Sequence, residues 1–326
     1  MFELFNPNWR VPFMKLSRVT LVLSAIALVI SIALLVRPGL NFALDFTGGS
    51  VVELHFDQPA DPGAIRAVLQ QAGYEGAQVQ SFGTARDVLI RIRPEQEQDQ
   101  AGDADPTVAT GGLRQSAGEL IQTALANAGM ESELRRNEYV GPQIGQELAE
   151  DGVVAAIFVI AGMMIYVAVR FEWRFGLASV AGEIHDVLLT LGFLALIGSE
   201  FDLPAMAAVL AVAGYSINDK IVIFDRIREM FRTTRKLTPE ETIDVACSTT
   251  LSRTVITGVT TLLAVGALYL FGGVALKSFS VTLIFGIIVG MYSSVFFAAP
   301  VLGRIGVTKQ DLMPKMRDET ELARRP

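Results

Sequence analysis

Six apolar runs, near 17–36, 150–169, 176–198, 203–224, 248–271 and 277–302, each reach the length needed to cross a bilayer. A hydrocarbon layer about 30 Å thick takes about 20 apolar residues as a helix, and in lipid only a structure that satisfies its own backbone hydrogen bonds survives. The sequence therefore predicts a polytopic α-helical membrane protein with six transmembrane helices. Composition agrees, since 51% of the 326 residues are hydrophobic and 19% are charged, too few polar groups to coat a soluble globule. A net charge of −7 argues against a nucleic-acid partner. The single Cys247 has no internal disulfide partner and reads as a small buried side chain.

Lys and Arg set the orientation. The N-terminal tail (Arg10, Lys15, Arg18), the turn Arg170 to Arg174, the hairpin carrying Arg226, Arg228, Arg232, Arg235 and Lys236, and the tail from Arg304 to Arg325 are basic. The loops Ser199 to Asp202 and Gly272 to Lys277 hold one basic residue between them. Both termini are thus expected in the cytoplasm. The first run is longer than a secretory h-region and ends in Val36-Arg37-Pro38 without a small-x-small cleavage site, so it reads as a retained anchor.

Four segments follow: 1–36, a cytoplasmic N-terminus and first transmembrane helix; 37–149, periplasmic; 150–302, the five remaining membrane helices; and 303–326, a cytoplasmic C-terminal tail. Within 37–149 the pattern gives a strand at Val51 to Phe56, a helix at Pro62 to Gly73, strands at Ala77 to Phe82 and Asp87 to Arg93, a helix at Leu113 to Ala128 and a strand at Glu131 to Val140. This β-α-β-β-α-β order is that of an α+β ferredoxin-like domain. The acidic linker near 94–112 has almost no apolar residues and is expected to be disordered. The domain has no clustered His or Cys and no Ser-His-Asp set, which assigns it neither catalysis nor metal.

Two of the membrane runs hold an ion, Asp219 in AVAGYSINDKIVIF and Arg253 in STTLSRTVITGVTTLLAV. Such groups cost a few kcal/mol at membrane depth, so they face a bundle interior, pair, and mark ion or proton routes. Both fall about 10 Å inside the boundary at the basic hairpin, at 1.5 Å per residue. Adjacent antiparallel helices would make them a facing pair, the proton- or cation-coupling site. The competing reading is a fixed pair that only fastens two helices.

Other polar groups could extend a relay: Glu183, His185 and Asp186 in AGEIHDVLLT, and Asn218, Lys220 and Thr257. Gly182, Asp186 and Thr190 share one helix face, and no second His at i+4 offers a metal-ligand spacing. Lys220 points about 100° away from Asp219 and is expected to snorkel toward the cytoplasmic headgroups. Thr250, Thr257 and Thr260 form a stripe with Arg253 that either satisfies the guanidinium and holds water or packs between helices. Ala207-x-x-x-Ala211 and Gly286-x-x-x-Gly290 read as close helix contacts.

Read together, the motifs resemble the SecD/SecF protein-export family of the RND superfamily over almost the whole chain except the acidic linker and the C-terminal tail. The matching residues are Asp45-Phe46-Thr47-Gly48-Gly49, Val140-Gly141-Pro142 with Gly145, Arg170-Phe171-Glu172-Trp173-Arg174-Phe175, His185-Asp186-Val187, Gly214 to Asp219 running on to Asp225-Arg226-Ile227-Arg228-Glu229, Thr250 to Thr254, and Tyr292-Ser293-Ser294. The chain departs from the family at Lys220, where Ser or Thr is usual, and at Ser248-Thr249, where Asn-Gln is frequent.

The resemblance implies a subunit that is not an enzyme and needs no cofactor beyond protons or Na+ as coupling ions. It would sit in the bacterial inner membrane and use the proton-motive force, or a sodium gradient, to promote late translocation of secreted polypeptides. Implied partners are SecD, the SecY/SecE/SecG translocon, YajC and YidC, the translocating polypeptide and the lipid bilayer. Asp219 and Arg253 match the family's coupling pair, and Asp45, Gly48, Gly49, Gly141, Pro142 and Glu172 belong to its structural motifs. Two other readings stand beside this one: half of an RND-type small-molecule exporter, and a membrane scaffold without transport.

Overall fold

The computed structural model describes residues 11–82, 84–92, 109–234 and 236–307. The chain begins with α1 (Phe13–Val36) and continues through β1 (Gly49–Phe56), α2 (Pro62–Gln71), β2 (Gln78–Phe82), β3 (Thr84–Ile92), α3 (Ala109–Asn127) and β4 (Ser132–Val140). The helices α4 (Pro142–Arg170), α5 (Trp173–Ile197), α6 (Leu203–Thr233), α7 (Pro239–Phe271) and α8 (Lys277–Ser293) follow, and a π-helical turn at Ser294–Ala298 leads into α9 (Ala299–Ile305). Two compact units result, Phe42–Ala155 with Glu200–Leu203, and Met1–Asn41 with Ala156–Ser199 and Pro204–Pro326.

The smaller unit is a four-stranded antiparallel sheet in the order β2-β3-β1-β4, with α2 and α3 packed on it. Period-two alternation turns Val52, Leu54 and Phe56 of β1 and Val88, Ile90 and Ile92 of β3 onto one face. There they meet Ile65 and Leu69 of α2 and Ile121 and Leu125 of α3. Asp61 starts α2 by accepting from the Gly63 N–H at 2.9 Å, with Pro62 in the first helical turn. The element order is the one the sequence pattern predicts. However, α3 begins at Ala109 rather than Leu113, so 109–112 are helical; the rest of the expected linker lies outside the described residues, as does the tail beyond 307.

Among the described residues, six helices are long and apolar enough to cross a membrane: Phe13–Val36, Gln143–Arg170, Trp173–Ile197, Leu203–Thr233, Pro239–Phe271 and Lys277–Ile305. Burial sorts them. The most apolar windows of α5, α6 and the α8–α9 span are 44%, 50% and 56% buried, whereas those of α1, α4 and α7 are 11%, 11% and 17% buried. Three helices therefore form an inner group: α5 carries the buried Glu183, His185 and Asp186, α6 the buried Asp219 and Lys220, and the α8–α9 span the buried Ser293 and Ser294.

Small residues set the spacing. A β-carbon on Gly286 would meet Val212, one on Gly290 would approach Ser216 and one on Gly192 would strike Ser31. The Gly286-x-x-x-Gly290 pattern is thus a groove for α6. Ala207 and Ala211 behave differently, because both are exposed on α6, as are Gly214 and Asn218 farther along that helix.

Candidate functional site

Asp186 is the centre of a polar cluster inside the larger unit. It is fully buried on α5, and each of its oxygens is occupied. Oδ1 lies 2.8 Å from His185 Nδ1. Oδ2 accepts from Lys220 Nζ at 2.7 Å, from Ser293 Oγ at 2.6 Å and from Ser216 Oγ. Lys220, itself fully buried, also donates to Ser216 Oγ at 2.5 Å and to Glu183 Oε2 at 3.4 Å. Helical periodicity explains the company on each element: Ser216 and Lys220 are four apart on α6, while Glu183 and Asp186 are three apart on α5.

The third inner span supplies the remaining contacts. Its π-helical turn starts where Ser293 reaches Asp186, and Phe297 within that turn stacks on His185 with ring centroids 4.3 Å apart. Such single π turns inside α-helices recur at functional sites. Ser216 and Ser293 entered the sequence reading only as members of family motifs and were not assigned to a site. The signal available was their position, Ser216 one turn before Lys220 and Ser293 three residues after the groove glycine Gly290.

These contacts correct the expected course of Lys220. The ammonium does not reach for the headgroups; it turns inward to two carboxylates. Asp186 Oδ2 lies 2.7 Å from the ammonium, and Gly182 leaves the space the lysine stem crosses. A buried ion pair with added hydrogen bonds offsets much of the desolvation of its charges, which an isolated buried ammonium could not do.

Asp219 sits one residue earlier on α6 and is 3% exposed, with its Oδ2 buried and without a hydrogen-bond partner. The expected face-to-face pair with Arg253 is not formed. Among the described residues no ion pair within 4 Å involves Asp219, and Arg253 is exposed on α7, within electrostatic range of the carboxylate but not in contact with it. Similar depth places two residues at one level of a bundle and leaves their directions around their helices free. Tyr215, one turn before Asp219, lies beside Thr257 and Thr261 of α7, so α6 and α7 are neighbours here. Instead of serving the guanidinium, the threonine hydroxyls turn back on their own helix: Thr250 donates to Ala246 O, Thr257 to Arg253 O and Thr260 to Ile256 O.

The glycine-bearing motif is held by close contacts. Asp45 Oδ2 accepts from the N–H of Leu203, the first residue of α6, at 2.9 Å. Gly48 and Gly49 have φ of +67° and +112°, a region that disfavours side chains. Gly145 is pressed against that turn, since a β-carbon there would lie 2.8 Å from Gly48 N.

Residues 120–308 match the family model described as "Protein export membrane protein SecD/SecF, C-terminal", and residues 33–60 match the SecD/SecF GG motif. The chain belongs to the SecD/SecF family. It is 43% identical over 310 residues to the protein translocase subunit SecF of Pseudomonas aeruginosa, covering 94% of this chain and 95% of that one. Against SecF of Vibrio alginolyticus the identity is 40% over 314 residues, with 96% of each chain covered. The crystal structure of SecDF, a translocon-associated membrane protein from Thermus thermophilus, superposes with a TM-score of 0.78 at 30% identity over 93% of this chain. This chain spans 39% of the length of that SecDF chain.

Against this family background, the basic motifs act as structural ties. Arg170 donates to Asp225 at 2.6 Å, Arg228 donates to the same carboxylate at 2.7 Å, and both guanidinium groups lie over the Phe171 ring. Glu172 lies 3.8 Å from Arg232. The departures at Ser248-Thr249 are also used, Ser248 Oγ accepting from the Val11 N–H and Thr249 Oγ1 from Arg226 Nε. Gly141 has open space around it, and nothing in the structure explains a glycine there. Cys247 is fully buried, as its sequence setting suggests.

Proposed function

We propose that this chain is the SecF-type subunit of a Sec export assembly, in which a cation gradient across the inner membrane promotes the late movement of secreted polypeptides. The observation that supports it most is Asp219, an acid at membrane depth with a buried oxygen left without a partner, in a chain of the SecD/SecF family. Such a group is ready to take a proton without first breaking a bond. In this reading proton entry from the periplasmic side neutralises Asp219, removes its attraction for Arg253, and shifts the packing of α6 against α7. The polar groups of the Asp186 cluster form the neighbouring part of the route, with Asn218 at its exposed side.

SecD is the companion this reading requires. Ala207, Ala211, Gly214 and Asn218 form an uncovered strip of small and polar residues on α6, and Arg253 and Thr260 are exposed on α7. An arginine facing lipid there would be costly, and a second membrane half packed on this strip would shelter it. The translocon, YajC and YidC come next in the assembly, with both termini in the cytoplasm and 37–149 in the periplasm. One charge crossing 100 mV releases about 2.3 kcal/mol, enough per cycle to bias backsliding of a chain and not enough to unfold a stable domain. Replacement of Asp219 by Asn tests the reading in cells: precursors of secreted proteins accumulate if it holds, and secretion at the normal rate leaves only the scaffold role.

A further inference from the structure

The buried ammonium of Lys220 is surrounded by carboxylate and hydroxyl oxygens. Around Nζ are Asp186 Oδ2 at 2.7 Å, Ser216 Oγ at 2.5 Å and Glu183 Oε2 at 3.4 Å. Ser293 Oγ meets the same Asp186 oxygen at 2.6 Å, and Glu183 Oε1 is buried nearby with no hydrogen-bond partner. Carboxylate and hydroxyl oxygens gathered round one positive centre, away from water, are what a hard cation requires. An alkali ion and a lysine ammonium carry the same charge and compete for the same oxygens. The lysine is also built in, because Gly182 provides the channel for its stem, with the position of an absent β-carbon only 2.5 Å from Lys220 Cε.

We propose that Lys220 is a tethered cation filling an alkali-ion cage made by Glu183, Asp186, Ser216 and Ser293, and that it is the residue barring Na+ from this polar core. Resting on the gradient-coupled reading above, the inference adds its ion specificity: the wild-type chain runs on protons. No Na+ can enter the cage while the covalently held ammonium occupies it, since displacement would strand a charged lysine in a dry interior at a cost of several kcal/mol. Shortening the side chain removes the charge, leaves the oxygens in place and opens room for an ion.

The test is Na+ binding to the purified full chain in nanodiscs, read by equilibrium uptake of radioactive sodium with choline chloride as the ionic-strength control. The Lys220→Ser variant gains a saturable Na+ site, with bound ion rising at least about tenfold over wild type, the change that about 1.4 kcal/mol of affinity produces. Lys220→Met, which keeps the stem and removes the charge, gains none. A folded Lys220→Ser chain without bound Na+ overturns the assignment, and so does a saturable Na+ site in wild type that Asp186→Asn abolishes. A second readout uses only the wild-type chain: its gradient-driven step in vesicles is unchanged when choline replaces Na+ at constant pH, and loss of that step overturns the proposal. If Lys220→Ser binds Na+ while wild-type translocation ignores every gradient, the cage stands and the coupling reading fails.

Discussion

A β-carbon on Gly182 would lie 2.5 Å from Cε of Lys220, so the glycine of α5 and the lysine of α6 fit each other. Ala at 182 pushes the stem aside and draws the ammonium from Asp186. Overpacking of this kind costs about 1–3 kcal/mol. Gly182→Ala is expected to lower the thermal midpoint of the chain in detergent, and adding Lys220→Ser is expected to recover most of the loss. A double-mutant cycle measures that coupling, and additive effects contradict the fit.

Asp186 carries four contacts, and its loss leaves a buried lysine without its nearest counter-charge. Removing one partner of a buried ion pair costs about 3–5 kcal/mol, whereas replacing both by apolar groups is often near neutral. Asp186→Ala is expected to destabilise the chain by that order and Asp186→Leu with Lys220→Met by far less. Thermal unfolding of both variants in the same detergent decides it.

The six spans were legible in the sequence because an apolar run of sufficient length must cross or be buried, whatever its neighbours are. The small unit was legible for a similar reason, its alternation at Val52, Leu54, Phe56 and Val88, Ile90, Ile92 being local. Direction around a helix was not. The depth of Asp219 and Arg253 follows from counting residues, but their separation depends on how α6 and α7 are turned, which the sequence does not state locally. Lys220 was misjudged for the same reason, since its partner lies on α5, far away in the chain. Gly48, Gly49 and Gly145 were visible as glycines, and only the close approach of two backbones explains them.

That approach leaves no room for substitution. A β-carbon at 145 would meet backbone, Gly48 N at 2.8 Å and Gly48 Cα at 3.3 Å, and backbone cannot rotate away as a side-chain tip can. Gly145→Ala is expected to separate the Asp45 to Gly49 turn from α4. Faster hydrogen exchange at residues 44–50, with exchange in β3 unchanged, is the measurable sign.

In the smaller unit, Asp87 accepts from Thr84 Oγ1 at 2.5 Å and lies 2.5 Å from His55 Nδ1, with Arg135 at 3.4 Å. These contacts, the Thr84 hydrogen bond first, hold its carboxyl below the ordinary value of 3.8. A lowered value in the folded state means a contribution present above pH 3.8 and lost as the pH falls through the folded value. Hydrogen exchange across residues 84–92 is expected to be slower in wild type than in Asp87→Asn at pH 6. The difference should vanish in strongly acidic solution, and a difference that persists there assigns the effect to packing.

In the proposed cycle Asp219 takes up the coupling cation. Its most direct test is the rate of the gradient-driven translocation step in inverted vesicles, measured with the gradient intact and after a protonophore collapses it, for wild type and Asp219→Asn. Collapse is expected to slow wild type to the rate of the variant and to leave the variant unchanged. A variant that still responds fully to the gradient contradicts the cycle.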